Sequence, residues 1–237
     1  EFLNKIKSEY ETLINYEKGF EETTKKLEES YNKLNTLYAK LTELRKVKAQ
    51  EFSLKIENEL KTLGMKSAKF SITITKIEDN KILSINGIDD VEFTFSANAG
   101  EPLKTMSKII SGGEMSRFML AMKLVSSDSV GTYVFDEIDS GISGEVAKIV
   151  AEKFSFISKN VQIITISHLP QIVSFGDYSY KIEKTEKGDK TETKVIPLDD
   201  NGKIEEIVRI IGGEGSELSI NHAKELIDKA NTFKKAL

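Results

Sequence analysis

At 237 residues, with 39% hydrophobic and 30% charged side chains, the chain can bury one sizeable core or two modest ones with an elongated charged segment attached. The absence of cysteine excludes a disulfide framework and a thiolate metal site, and two histidines, His168 and His222, are too few for a histidine-rich zinc site. A net charge of -4 excludes a surface coated throughout for nucleic acid and leaves room for a local patch. No apolar run approaches a membrane span and the charged start lacks a signal-peptide pattern, so no membrane partner is expected and a cytoplasmic location fits. A first residue of Glu1 rather than methionine reads as a fragment.

Residues 1–63 form the first expected domain, an arm without proline and with one glycine, Gly19. Leu3, Ile6, Tyr10, Leu13, Glu17, Phe20, Thr24, Leu27, Tyr31, Leu34, Tyr38 and Leu41 recur at alternating spacings of three and four, the heptad seam of a coiled coil. As one helix the segment extends roughly 95 Å. Gly19 could turn a helical hairpin, but the seam keeps its register across it, so a continuous helix is expected. Beyond Leu41 the seam widens to Phe52, Ile56, Leu60 and Leu63, a face suited to docking on a globular body.

Residues 64–237 are the second expected domain, an α/β lobe. Phe70, Ile72 and Ile74, and later Val91, Phe93 and Phe95, alternate with polar residues as strands with one wet face; Asn80-Lys81 and Asn86-Gly87 supply turns. A helix is predicted over 113–126, with Met115, Phe118, Met119, Met122 and Val125 as its core stripe. Residues 132–135 and 161–166 read as apolar strands around a helix at 144–158. Strand, helix, strand with both strands buried means a parallel sheet, with ligands expected beyond the strands' carboxyl ends. A hairpin over 178–184 and 191–197 with its tip near Gly188-Asp189, a helix over 204–211 stopped by Gly212-Gly213, and a closing helix over 217–235 complete the reading.

Three points stand out in the second domain. Ser111-Gly112-Gly113-Glu114 opens a helix, leaving backbone N–H groups unpaired and unobstructed at the positive end of the helix dipole, which suits an anion such as phosphate. Asp136-Glu137 ends an apolar strand, placing one acid to hold Mg²⁺ and the next to orient an attacking water. Ser167-His168 ends the neighbouring strand. Each has a bland counterpart: a tight turn and cap, a solvated acidic loop, a structural histidine. Arg117 with Lys104, Lys108 and Lys123 reads either as a nucleic-acid patch or as scattered surface charge.

Together and in order, these runs resemble the ABC-type ATPases. Ile110-Ser111-Gly112-Gly113-Glu114 is similar to their signature motif, residues 133–137 to a Walker B strand with its catalytic glutamate, Asp139-Ser140-Gly141 to the D-loop, and His168 to the switch histidine. The preceding coiled coil narrows the resemblance to the SMC-like group. Ser111-Gly112-Gly113-Glu114-Met115-Ser116-Arg117, residues 135–144 and Ser167-His168-Leu169-Pro170-Gln171 are similar to a bacterial DNA-repair branch of that group.

The resemblance implies an ABC-type head lobe with a parallel β-sheet flanked by helices, in a head that binds ATP and Mg²⁺ and closes face to face with a second head as an ATP-dependent homodimer. Ser111, Gly112, Gly113 and Glu114 would cover the partner head's nucleotide, Ser111 and Gly113 touching its γ-phosphate. Asp136 would support the metal, Glu137 polarise the attacking water, His168 sense the γ-phosphate, and Asp139 communicate across the dimer. DNA would be the further partner, in the cytoplasm on the nucleoid. No Gly-x-x-x-x-Gly-Lys-Ser/Thr occurs in the chain, so an amino-terminal lobe carrying the Walker A loop is the other expected partner, and the chain alone is expected to be inactive. A non-catalytic DNA tether, another SMC-like chromosome-maintenance protein and an unrelated α/β domain are the competing readings.

Overall fold

A computed structural model of the chain describes residues 2–77, 84–106, 112–126, 131–142, 144–187, 190–213 and 215–237. Ser111, Lys108, Ile110, Ser143, the turn at Asn80-Lys81 and the hairpin tip at Gly188-Asp189 lie outside the described residues. The chain divides into two compact units, one of Glu1–Glu51 with Ile72–Glu92, the other of Phe52–Ser71 with Phe93–Leu237.

In the first unit the dominant element is α1 (Phe2–Thr62), which passes through Gly19 without a break and continues into the second unit. One glycine costs about 1 kcal/mol of helix preference, too little to break a run otherwise free of glycine and proline. Leu3, Ile6, Tyr10, Leu13, Phe20, Leu27 and Tyr31 are all exposed along it, an apolar row that no described residue covers. Tyr38, by contrast, is buried. Its hydroxyl donates to the Ser84 carbonyl (2.9 Å), Thr42 Oγ1 donates to Asp89 Oδ1 (2.7 Å), and Arg45 donates through Nη1 to Asp89 Oδ2 (2.9 Å) and through Nη2 to the Asn86 carbonyl (2.6 Å). The Asp89 carboxylate is almost fully enclosed, so its two partners supply what water otherwise would. Gly87, at φ 93°, lets the turn approach: a Cβ there would lie 3.0 Å from both Arg45 Nη1 and Leu41 Cδ2.

In the second unit, Ile56 and Leu60 on the last turns of α1 and Leu63 just past its end are completely buried. The helix stops at Gly64 (φ 84°), and the Met65 N–H reaches back to the Leu60 carbonyl, a left-handed terminus of the kind glycine permits. Glu59 pairs with Lys153 at 2.5 Å, and Glu57 accepts from the Phe70 backbone. β1 (Lys69–Lys76), β2 (Asp89–Ser96) and β3 (Lys104–Thr105) form one sheet in that order, with β2 and β3 antiparallel. Phe118 of α2 (Gly112–Val125) lies 5.2 Å from the Phe70 ring and 5.3 Å from the Phe95 ring, which fixes this helix on the sheet.

The buried face of α2 differs from the expected methionine stripe. Gly113, Arg117, Phe118, Leu120 and Ala121 are buried, whereas Met119 is exposed and Met115 and Met122 are half-buried. The helix turns Arg117 inward because, as described below, that side chain holds a loop of the site.

β4 (Thr132–Phe135), α3 (Gly144–Ile157) and β5 (Gln162–Thr165) make the expected parallel unit, Thr132 opposite Gln162 and Phe135 opposite Thr165. Ala147, Val150, Ala151 and Phe154 bury one stripe of α3, and Phe154 stacks at 5.1 Å on Phe135. The reading of both strands as buried is corrected: Val134, Ile164 and Ile166 are exposed. Only one face of this two-stranded ribbon is covered, so its apolar residues meet the core on one side alone. Val91 and Phe93 of β2 are likewise exposed, leaving Phe95 to carry that strand's burial.

α4 (Pro170–Phe175), a short helix absent from the sequence reading, starts on the proline; β6 (Ser179–Lys187) and β7 (Lys190–Leu198) form the antiparallel hairpin. α5 (Asp200–Ile211) begins four residues earlier than expected because Asp199 caps it, its Oδ1 accepting from the Gly202 N–H at 2.7 Å. It ends at Gly212, φ 78°. α6 (Glu217–Ala236) packs on α5 around Ile207, Val208 and Ala223, and Phe233 stacks on Phe156 and Phe175. Among the described residues no helix is long and apolar enough to cross a membrane.

Candidate functional site

The site is built on the turn that follows β4. Asp136 is the first residue past the strand and Glu137 the second, and Glu137 takes φ 54°, a left-handed backbone that a residue with a Cβ adopts at a cost of about 1–2 kcal/mol. The Ser140 N–H closes the turn on the Glu137 carbonyl at 3.0 Å.

The first turn of α2 lies directly against this reversal. A Cβ on Gly112 would sit 2.5 Å from Glu137 Oε2; one on Gly113 would sit 2.8 Å from Ser140 Cβ, 2.9 Å from the Ser140 carbonyl and 3.0 Å from the Glu137 carbonyl. Gly113 is therefore needed here for close approach, whereas Gly112 meets only the movable end of Glu137; the sequence signals both only as a helix start. Ser116 Oγ, one turn on, donates to the Asp136 carbonyl at 2.6 Å.

Arg117 completes the attachment. Its Nη1 donates to the Ser140 carbonyl (2.7 Å) and the Ile138 carbonyl (3.2 Å), inside a nearly closed pocket where its Nε has no hydrogen-bond partner among the described residues. Burial lowers the guanidinium's proton affinity, and the negative charge of Glu114 acts in the opposite sense. A residue so enclosed belongs to neither a nucleic-acid patch nor scattered surface charge, which corrects both readings of Arg117. Lys123 lies over the Tyr133 ring at 4.8 Å from its centroid.

On the other side of the turn, Asp139 is buried and faces its own chain. Its Oδ2 accepts from Ser167 Oγ at 2.5 Å and from the His168 backbone N–H at 2.7 Å, and stands 3.1 Å from His168 Nδ1. Ser167 Oγ in turn accepts from the Leu169 N–H at 3.1 Å. The imidazole of His168 is mostly exposed. The parallel pairing of β4 with β5, extended by the Ile166 N–H to the Phe135 carbonyl (3.1 Å), brings residues 139 and 168 to the same end of the ribbon.

Asp136 and Glu137 are exposed, whereas Glu114 is half-buried in the first turn of α2. Among the described residues no group of three or more acidic, histidine or cysteine side chains could hold a metal ion. Asp136 is an exposed carboxylate at the strand end, and that fits Mg²⁺, which takes one or two carboxylates together with phosphate oxygens and water. Sequence reasoning missed the parts played by Ser116, Arg117 and Ser167, whose partners lie 20 to 28 residues away.

No family model matches the chain. The DNA repair protein RecN of Halalkalibacterium halodurans is 39% identical over 99% of this chain and 42% of its own length, and that of Bacillus subtilis is 36% identical over 99% of the chain and 43% of its own. Among solved structures, the Smc head domain with a coiled coil and joint from Pyrococcus yayanosii aligns with 70% of this chain and 30% of its own at 18% identity and a TM-score of 0.46, a likeness too low to carry a conclusion. The identity to the RecN proteins extends through the arm and the lobe alike, so the chain belongs to the RecN family of DNA repair proteins and spans somewhat less than half the length of these relatives.

Proposed function

We propose that the chain is the carboxy-terminal portion of a RecN-type ATPase that acts in DNA double-strand break repair and recombination, working on the nucleoid in the cytoplasm. In this reading an amino-terminal lobe supplies the Walker A loop, two heads close as a homodimer on ATP and Mg²⁺, and DNA is the larger partner. The chain by itself does not turn over ATP. The observation that carries the proposal is the flush packing of Gly112-Gly113 on the Glu137 turn, which puts a helix amino terminus and an outward carboxylate side by side.

Ser111, Gly112, Gly113 and Glu114 present backbone N–H groups to the γ-phosphate of a nucleotide held by the partner head, Ser111 and Gly113 making the direct contacts. Asp136 holds Mg²⁺, which supplies charge neutralisation on phosphate oxygens. Glu137 orients the attacking water, and its left-handed backbone aims the carboxylate over Gly112. His168 contacts the γ-phosphate region. Asp139 links the turn to that histidine and so couples the state of one half of the site to the other. Phosphoryl transfer relies on this kind of positioning and charge compensation more than on covalent help.

Light scattering on the intact head, this chain joined with its Walker A lobe and carrying Glu137→Gln, tests the reading. ATP with Mg²⁺ is expected to convert monomer to stable dimer, and Ser111→Arg to prevent it. A head that stays monomeric with nucleotide removes the roles given to Ser111 and Glu137.

A further inference from the structure

The Asp139 carboxylate has a role beyond closing its own turn. An ionised carboxylate only accepts hydrogen bonds, and Oδ2 already accepts from Ser167 Oγ and the His168 N–H. His168 Nδ1 lies 3.1 Å from the same oxygen. A lone pair at that distance from a carboxylate oxygen would be repelled, so Nδ1 carries the hydrogen. In the neutral imidazole one nitrogen donates and the other accepts, which leaves Nε2 as a bare lone pair. The His168 side chain is 77% exposed while that of Asp139 is 3% exposed, so the donor end is rooted and the acceptor end faces outward.

The geometry points to Asp139 as the positioning residue of His168: it fixes the imidazole in the Nδ1–H tautomer and presents Nε2 as a proton-accepting atom. Ser167 supports the arrangement by donating to the same Oδ2 and by anchoring the Leu169 N–H, which holds the backbone on both sides of His168. A bare Nε2 accepts from a water or hydroxyl. On the ATPase reading above, which this inference deepens, Nε2 is the ring atom of His168 left for the γ-phosphate region.

The test needs no nucleotide. The chain has two histidines, and His222 has only a loose neighbour, Glu225 at 3.7 Å, so it serves as an internal reference. Nitrogen-15 spectra of histidine-labelled protein at a pH where both rings are neutral distinguish the tautomers directly. His168 is expected to show a pyrrole-like Nδ1 and a pyridine-like Nε2, unlike His222. In Asp139→Ala the His168 pattern is expected to move to that of His222. A wild-type His168 with the hydrogen on Nε2, or with the same tautomer mixture as His222, overturns the assignment, and so does a folded Asp139→Ala variant whose His168 pattern is unchanged. The wild-type spectrum alone decides the matter should Asp139→Ala fail to fold. Failure of ATP-driven dimerisation in the intact head leaves this result untouched, which keeps the two readings separable.

Discussion

Substituting alanine at Gly112 and at Gly113 should produce opposite effects on stability, although both residues occupy the first turn of the same helix. At Gly113 the new methyl would enter within 3.0 Å of two backbone carbonyls and within 2.8 Å of Ser140 Cβ. None of these atoms can swing aside, so helix and turn must part, an overpacking penalty of about 1–3 kcal/mol. Replacing glycine in a helix returns about 1 kcal/mol, which leaves a net loss of up to about 2 kcal/mol. For a folded unit of this size that lowers Tm by up to roughly 8 °C. At Gly112 the methyl would meet only Glu137 Oε2, the end of a flexible and exposed side chain that rotates away. The helix preference is then recovered almost unopposed, and the variant should match or exceed the wild type by up to about 1 kcal/mol. Urea unfolding of the three proteins reads the difference as a shift in midpoint at constant slope. Equal midpoints for the two variants, or a Gly113→Ala midpoint at or above wild type, would refute the close packing on which the site depends.

Glu137→Asn should stabilise the fold by about 0.5–1 kcal/mol, since asparagine tolerates a left-handed backbone better, while abolishing ATP turnover in the intact protein; thermal melts and a phosphate-release assay check the two halves. Arg117→Ala should cost about 2–4 kcal/mol, because two inward carbonyls lose a charged donor and a filled pocket empties, with Arg117→Lys losing less; denaturant titration orders the three. Lys203 gives a pH dependence. Its pKa lies below the ordinary 10.5, chiefly through burial and then through the charge of Lys234, so the folded state binds fewer protons than the unfolded one from the folded pKa up to that value. Stability contributed by this group therefore rises with pH across the window, and wild type should gain on Lys203→Met as the pH is raised towards 10.5 in paired urea titrations. A constant difference refutes the assignment.

The sequence carried periodicity well and coverage poorly. The three-four spacing from Leu3 to Leu41 was enough for an uninterrupted α1, and the two apolar runs around residues 144–158 were enough for a parallel pair. Neither pattern states what lies on the far side of an element, so the exposure of Val134, Ile164 and Ile166 was not legible. The three methionines of α2 fit a helical stripe, yet the helix buries Arg117 because the carbonyls of Ile138 and Ser140 need a donor. Glycines 112 and 113 were read as exposed N–H groups, and their tightness against Glu137 and Ser140 appears only once residues some 25 apart are in place. The contact of Asp139 with His168 spans 29 residues and depends on strand register, which no local motif encodes.

The three side chains that grip the turn at 84–89, from Tyr38, Thr42 and Arg45, follow one another at intervals of four and three and so occupy a single stripe of α1. They fix the angular phase of the helix about its own axis at that level. Everything between residues 3 and 31 inherits this phase, because α1 runs unbroken from Phe2 to Thr62. An insertion of one residue between Tyr31 and Tyr38 would leave every contact at the turn intact and swing the apolar row by about 100°. An insertion of seven would return it to within about 20°. The direction in which the row can accept a partner strand is thus set by Asp89 and the carbonyls of Ser84 and Asn86, residues that lie nowhere on the row itself.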